Sequence, residues 1–272
     1  MAKYQYDNYV FDLYGTLIDI HTDEGTPLFW KQIATLYRTY GADYTPAELR
    51  KTYSSYCKEA EKKLRAALGY QHVELCLDDV FLRLLTECGN HRTIGHTVGG
   101  RQLWQLSPGE LRDCGWLYDI ANTFRVLSRT KLRAFPGTAE MLGDLKKAGK
   151  KVYLLSNAQA IFTRPEIEQT GLMPFFDDVF ISSEQGIKKP EPEFLRRLMK
   201  KHALTPENTL FTGNDIAADV GIALSCGLKC NFYNTEHIPA GKLKKQIEAV
   251  VSAHPGSAAA DIVINSKAAC IF

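Results

Sequence analysis

The chain has no long hydrophobic run: nowhere do the roughly 18 consecutive apolar residues of a membrane-spanning helix occur. Met1 to Asn8 is polar and the first apolar run is too short for a secretory leader. The expected location is therefore the cytoplasm, with no membrane among the partners. An excess of one charge is missing too. Thirty-three Lys and Arg against 31 Asp and Glu leave a formal charge of +2 at pH 7. With no arginine-rich tract, the electrostatic footprint of a nucleic-acid binder is absent. Lys242, Lys244 and Lys245 read as a solvated helix face. The seven cysteines are odd in number and have no framework spacing, which argues against a disulfide scaffold and suits a reducing compartment. Cys88, His91 and His96 lie close in sequence, but no second pair of ligands completes a zinc site. There is no internal repeat and no low-complexity tract. What remains, 272 residues with 45% hydrophobic and 24% charged, is ordinary globular material able to bury a sizeable core.

Short apolar runs predict strands at Tyr9–Asp12, Lys151–Leu155, Val179–Ile181, Thr209–Thr212, Cys230–Tyr233 and Ile262–Ile264. Helical patterns lie between them. From Gly137 to Gly149, Met141, Leu142, Leu145 and Ala148 fall at helical spacing, with Gly149 where a C-cap belongs. Glu191–Leu204 starts beside Pro192, and Asp215–Cys226 ends at Gly227. Alternation of strands and helices predicts an α/β fold, a doubly wound, Rossmann-like parallel sheet with helices on both faces. Residues 19–131 break that rhythm. They are helix-like throughout, with apolar Leu36, Tyr37 and Tyr40, then Leu64, Ala67 and Leu68, then Val80, Phe81, Leu84 and Leu85, and no convincing strand. The expectation is a core of residues 1–18 and 132–272 with a helical domain inserted at 19–131. Within the insert, Lys58, Glu59, Lys62 and Lys63 read as a charge-laced exposed helix.

Four short motifs stand at the ends of predicted strands, where open α/β sheets hold their ligands. The first is Asp12, Leu13, Tyr14, Gly15 and Thr16. The second is Leu154, Leu155, Ser156 and Asn157. The third runs from Lys188 through Lys189 and Pro190 to Pro192, and the fourth from Gly213 through Asn214 and Asp215 to Asp219. Singly each is weak. Asp215 alone reads as an N-cap carboxylate, and Asn157 and Asn214 as turn-capping amides.

Together and in this order they resemble the haloacid dehalogenase (HAD) superfamily, whose first motif is D-x-x-G-T. The resemblance implies a helical C1-type cap in the position of the insert. It also implies that Asp12 is a nucleophile, forming a covalent aspartyl intermediate. Mg²⁺ would be held by Asp12, Asp215 and the Tyr14 backbone carbonyl, all hard oxygen donors. Lys189 would neutralise phosphoryl charge and keep Asp12 ionised. Ser156 would donate a hydrogen bond to an equatorial oxygen, and the backbone amides of Leu13 and Asn157 would complete the cradle. Asp219 would orient Lys189 or a metal-bound water, with Asn214 in support, while Lys188 is read as a solvated neighbour.

Tyr14 departs from the phosphatase pattern, which carries an acid/base Asp two residues past the nucleophile. A phenol with a pKa near 10 is a poor base at neutral pH. The sequence D-x-Y-G-T is similar to that of the 2-haloacid dehalogenase branch, where Asp12 would displace halide and an early cap arginine, loosely matched by Arg50, would hold substrate. Arg125 and Arg129 near the hinge are further anchor candidates. The pair Asp215 and Asp219 tips the expectation to a Mg²⁺-dependent phosphatase acting on a small phosphorylated metabolite. The alternatives are a dehalogenase and a catalytically weakened metabolite-binding protein.

Overall fold

A computed structural model describes residues 4–95 and 97–265 of the chain; His96 of the candidate metal trio lies outside them. The chain enters through β1 (Asn8–Phe11) and β2 (Ile18–Thr22). Helices α1 (Pro27–Thr39), α2 (Pro46–Leu68), α3 (Leu77–Thr86), α4 (Pro108–Asp113) and α5 (Trp116–Ser128) follow, and β3 (Arg129–Ala134) leads back. Strands and helices then alternate: α6 (Thr138–Lys147), β4 (Lys151–Ser156), α7 (Ala160–Gln169), β5 (Asp178–Ile181), α8 (Ser182–Gln185) and α9 (Pro192–His202). The remainder is β6 (Thr209–Gly213), a π-turn at Ile216–Val220, α10 (Gly221–Ser225), β7 (Lys229–Tyr233), α11 (Ala240–Ser252) and β8 (Ile262–Asn265). Among the described residues no helix is long and apolar enough to cross a membrane.

Six strands form one parallel sheet in the order β5-β4-β1-β6-β7-β8. The order reverses between β1 and β6, the switch point where doubly wound sheets open a ligand crevice. Both faces are covered, which is why each of these strands reads as a continuous apolar run rather than an alternating one. Val10, Leu155, Phe211 and Phe232 face α9, α10 and α11 through Phe194, Leu198, Ile222 and Leu243. Tyr9, Phe11, Leu154 and Tyr233 face α6 and α7 through Met141, Leu142, Leu145 and Ile167. Burying each of these large side chains is worth about 1.5–3 kcal/mol. The sheet is thereby a rigid platform for the loops at its C-terminal edge.

Several expectations need correction. Residues 19–131 are not free of strands, because β2 and β3 pair as a separate two-stranded ribbon where the chain leaves and rejoins the core. Their half-exposed, charge-bearing sequences, Ile18–Thr22 and Arg129–Ala134, carry little apolar signal. The segment after β6 is not an α-helix from its start; it opens as a π-turn before α10. On α6, Met141, Leu142 and Leu145 are buried, but Ala148 is exposed beyond the helix end.

The chain divides into two compact units. The first gathers the described residues of Met1–Ile20, Tyr70–Glu74 and Leu132–Phe272; the second is His21–Gly69 with Leu75–Lys131. The second unit is held by an aromatic cluster in which Phe29 and Phe124 meet edge to face at 4.9 Å, joined by Trp30, Tyr53 and Phe81. Its long helix α2 starts in a reciprocal cap between Thr45 and Glu48, with Pro46 in the first turn. The stripe Leu64, Ala67 and Leu68 is not core: Leu64 is half-buried and the other two are exposed. Glu59 pairs with Lys63 at 2.5 Å and with Arg83 at 3.1 Å, as a charge-laced helix should. Cys88 and His91 have structural partners, the thiol on the Asn90 carbonyl and the imidazole stacked on Trp104 at 4.4 Å.

Tyr70–Glu74 goes with the core because its backbone is tied there. Val73 bridges to Ile187, the Glu74 N–H donates to the Gly186 carbonyl, and the Lys188 N–H donates to the His72 carbonyl. Lys188 is therefore more than a solvated neighbour of Lys189: its ammonium lies 3.4 Å from the Glu74 carboxylate.

Candidate active site

Strand β1 delivers Asp12 to the sheet edge, and the Asp12 N–H still donates to the Thr212 carbonyl of β6 at 2.8 Å. The turn that follows is closed by the Leu17 and Ile18 N–H groups on the Leu13 carbonyl, while the Leu13 side chain is buried in the core. Gly15 sits at φ +82°, and a Cβ there would stand 2.4 Å from the Asn214 amide nitrogen. Both the left-handed backbone and the closeness of Asn214 demand glycine. The turn brings Thr16 back onto the nucleophile candidate, its hydroxyl 2.9 Å from Asp12 Oδ2 and 3.1 Å from Asn214 Oδ1.

The other Asp12 oxygen meets Lys189, whose Nζ lies 2.6 Å from Asp12 Oδ1 and 2.7 Å from Asp219 Oδ1. All three side chains are buried, Lys189 being 3% exposed. Burial alone would push the ammonium pKa down, but Asp12 and Asp219 outweigh it and hold Lys189 above its ordinary value. Desolvation lifts Asp219 to about 6 against the pull of Lys189. The far oxygen of Asp219 accepts the backbone N–H groups of Asn214 and Asp215 at 3.0 and 2.9 Å. That grip needs Gly213, where a Cβ would fall 2.3 Å from the Asp219 carboxylate. The π-turn is the local consequence: the Asp219 and Val220 N–H groups both donate to the Asp215 carbonyl.

Asn157 positions the lysine from behind. It accepts the Lys189 N–H at 2.8 Å and donates to the Lys189 carbonyl at 2.9 Å, beside a cis Lys189-Pro190 bond. Ser156, at the end of β4, is buried yet its hydroxyl has no protein partner. An orphaned buried polar atom costs about 1–3 kcal/mol, so a hydroxyl kept in that state has a reason to wait for a ligand. Asp215 is exposed and caps its own turn, accepting the Ala218 N–H at 2.8 Å through one oxygen.

The structure thus joins Asp12, Thr16, Asn157, Lys189, Asn214, Asp215 and Asp219 through direct contacts, with Ser156 at the same sheet edge. Tyr14 behaves differently. Its phenol donates to Glu166 on α7 in a short contact and lies 3.1 Å from the Thr163 hydroxyl. Nothing in the local sequence marks Thr163, Glu166 or Thr16 as partners of these groups. An acid on the helix after the second motif carries no sequence signal that separates it from a solvated one, yet Glu166 is 1% exposed.

Among the described residues no three His, Cys, Asp or Glu side chains gather into a metal-binding group. The donors at hand are carboxylates and a backbone carbonyl, the hard set that suits Mg²⁺, which is usually bound through one or two carboxylates and keeps several waters. Two buried acids, Asp12 and Asp219, share one ammonium here, and the exposed Asp215 stands beside Asp219. A dianionic ligand at that spot calls for a further cation, so the residues fit such an ion.

The chain matches known proteins accordingly. A family model for haloacid dehalogenase-like hydrolases covers residues 6–227. Glyceraldehyde 3-phosphate phosphatase of Methanocaldococcus jannaschii is 31% identical over 39% of this chain and 46% of its own length. Phosphoglycolate phosphatase of Vibrio cholerae is 36% identical over 31% of this chain and 38% of its own. The chain thus spans about half or less of the length of these relatives. Among solved structures, a 2-haloacid dehalogenase of Pseudomonas syringae shares the fold at a TM-score of 0.53 and 16% identity, over 86% of this chain and 89% of that one. With its family model, its sheet order and its four motif ends agreeing, the chain belongs to the haloacid dehalogenase-like hydrolases.

Proposed function

We propose that the chain is a Mg²⁺-dependent phosphatase that moves the phosphoryl group of a small phosphorylated metabolite onto Asp12 and then to water. The observation that carries this reading is the buried chain Asp12–Lys189–Asp219 with Asp215 beside it. A carboxylate cannot approach a phosphate dianion unless cations offset the repulsion. Lys189 supplies one such charge and holds Asp12 Oδ1 in place. Thr16 holds Oδ2, so the attacking carboxylate is oriented before substrate arrives. Ser156 offers its unused hydroxyl to an equatorial phosphoryl oxygen, and in this reading the backbone amides of Leu13 and Asn157 complete the cradle. Asp12, Asp215 and the Tyr14 carbonyl are the residues that would hold Mg²⁺, which neutralises phosphoryl charge when bound. Asp219 acts through Lys189, fixing its ammonium. In this reading the helical unit takes the place of the cap.

The names of the partial relatives favour phosphate esters over haloacids as substrates. Hydrolysis of p-nitrophenyl phosphate with Mg²⁺, and again with EDTA, tests the reading. Turnover that EDTA abolishes and added Mg²⁺ restores is expected. Halide release from 2-haloacids with no ester hydrolysis would favour the dehalogenase alternative instead. Binding without turnover would favour a metabolite-binding role.

A further inference from the structure

Among the described residues that meet at the candidate site, the donors other than Ser156 already have partners. The Lys189 ammonium is shared between Asp12 and Asp219. The Thr16 hydroxyl lies on Asp12 and Asn214. The Tyr14 phenol, two residues past the nucleophile candidate, gives its proton to buried Glu166 and has Thr163 on its flank. Swinging the phenol to a leaving group would break its contacts with Glu166 and Thr163. Ser156 keeps a free hydroxyl, but an aliphatic alcohol is too weak an acid to protonate a departing alkoxide.

We propose, on the footing of the phosphatase reading above, that this site serves phosphoryl donors whose leaving group departs as a stable anion, acyl phosphates foremost. Glu166 and Thr163 are the positioning residues that set this preference by holding the Tyr14 phenol away from acid duty.

The chemistry balances without a general acid. Asp12 attacks phosphorus, the bond from phosphorus to the acyl oxygen breaks, and its electron pair leaves on a carboxylate that needs no proton near neutral pH. Water then attacks the aspartyl phosphate, the bond between phosphorus and the Asp12 oxygen breaks, and the carboxylate of Asp12 is regenerated. Both protons of the water end on the released dihydrogen phosphate. An alkyl phosphate cannot follow the first step equally well, because its alkoxide must be protonated as it leaves. A positioned acid contributes about 10² to 10⁴ in rate to such a step.

The test is a leaving-group series on the purified protein with Mg²⁺: acetyl phosphate, p-nitrophenyl phosphate and glycerol phosphate, each corrected with the Asp12→Asn variant as blank. The expected kcat/KM for acetyl phosphate exceeds that for glycerol phosphate by about 10²-fold or more, with the aryl ester between them. Tyr14→Asp, which places a carboxyl in the turn and frees it from Glu166, should raise glycerol phosphate hydrolysis and narrow the gap at least about tenfold. Glycerol phosphate turned over within about tenfold of acetyl phosphate by the natural sequence would overturn the proposal while leaving the phosphatase reading intact. A gap as wide in folded Tyr14→Asp would overturn it as well. Silence on all three compounds would overturn both readings together. The series on the natural sequence decides the matter even if the variant fails to fold.

Discussion

Asp12→Asn is expected to lower turnover of any phosphate ester by at least about 10⁴-fold, the scale of losing a nucleophile, while leaving the fold in place. The amide keeps an oxygen that can accept from Lys189, and its nitrogen can donate to Thr16, whose hydroxyl now lies 2.9 Å from Asp12 Oδ2. Lys189 retains its second carboxylate at 2.7 Å. Loss of a charge-assisted contact then costs about 1.5–3 kcal/mol at most, within reach of a typical domain's stability. Steady-state rates on p-nitrophenyl phosphate and a thermal melt separate the two effects. A folded, active Asp12→Asn variant would remove the nucleophile assignment.

Lys189→Met should damage both fold and activity. The substitution fills much of the lysine's volume, so packing is nearly kept and charge is the main change. Asp12 and Asp219 then face each other as buried carboxylates without their shared ammonium. Breaking a buried ion pair from one side typically costs about 3–5 kcal/mol. The pH dependence gives a signature. Burial already lifts Asp219 to about 6 with the lysine present, and its removal pushes that carboxyl higher still. A carboxyl whose folded pKa lies above its unfolded value takes up a proton on folding, so its stability contribution is present at low pH and lost as pH rises through the folded value. The deficit of Lys189→Met against the natural sequence should therefore be greatest near pH 7 and above, and shrink as pH falls through 6 towards 4. Chemical denaturation at three pH values reads this directly. A deficit that grows on acidification would contradict the buried-triad account.

The sequence exposed the sheet more fully than the site. Strands such as β4 (Lys151–Ser156) and β6 (Thr209–Gly213) are legible because burial on both faces leaves no polar alternation to confuse the reading. The motif ends follow from the same logic, since polar residues directly after an apolar strand mark the sheet edge. The ribbon strands β2 and β3 escaped because they bury little and carry charge. The contacts that decide chemistry are long-range pairings between residues whose local sequence looks ordinary. Asn157 reads as a turn amide but brackets the backbone of a residue far along the chain, Lys189. Glu166 carries no sequence signal of its own and is buried against Tyr14. The π-turn likewise depends on how Asp219 reaches back to the end of β6, which helical periodicity does not encode.

The most direct measurement is a rapid acid quench of the protein during turnover of p-nitrophenyl phosphate, followed by mass spectrometry of its peptides. One phosphoryl group on the peptide that carries Asp12, missing from the Asp12→Asn variant, is the predicted result. Turnover with that peptide unmodified, or with the phosphoryl group on another side chain, would contradict the assignment of Asp12 as the residue through which phosphorus passes.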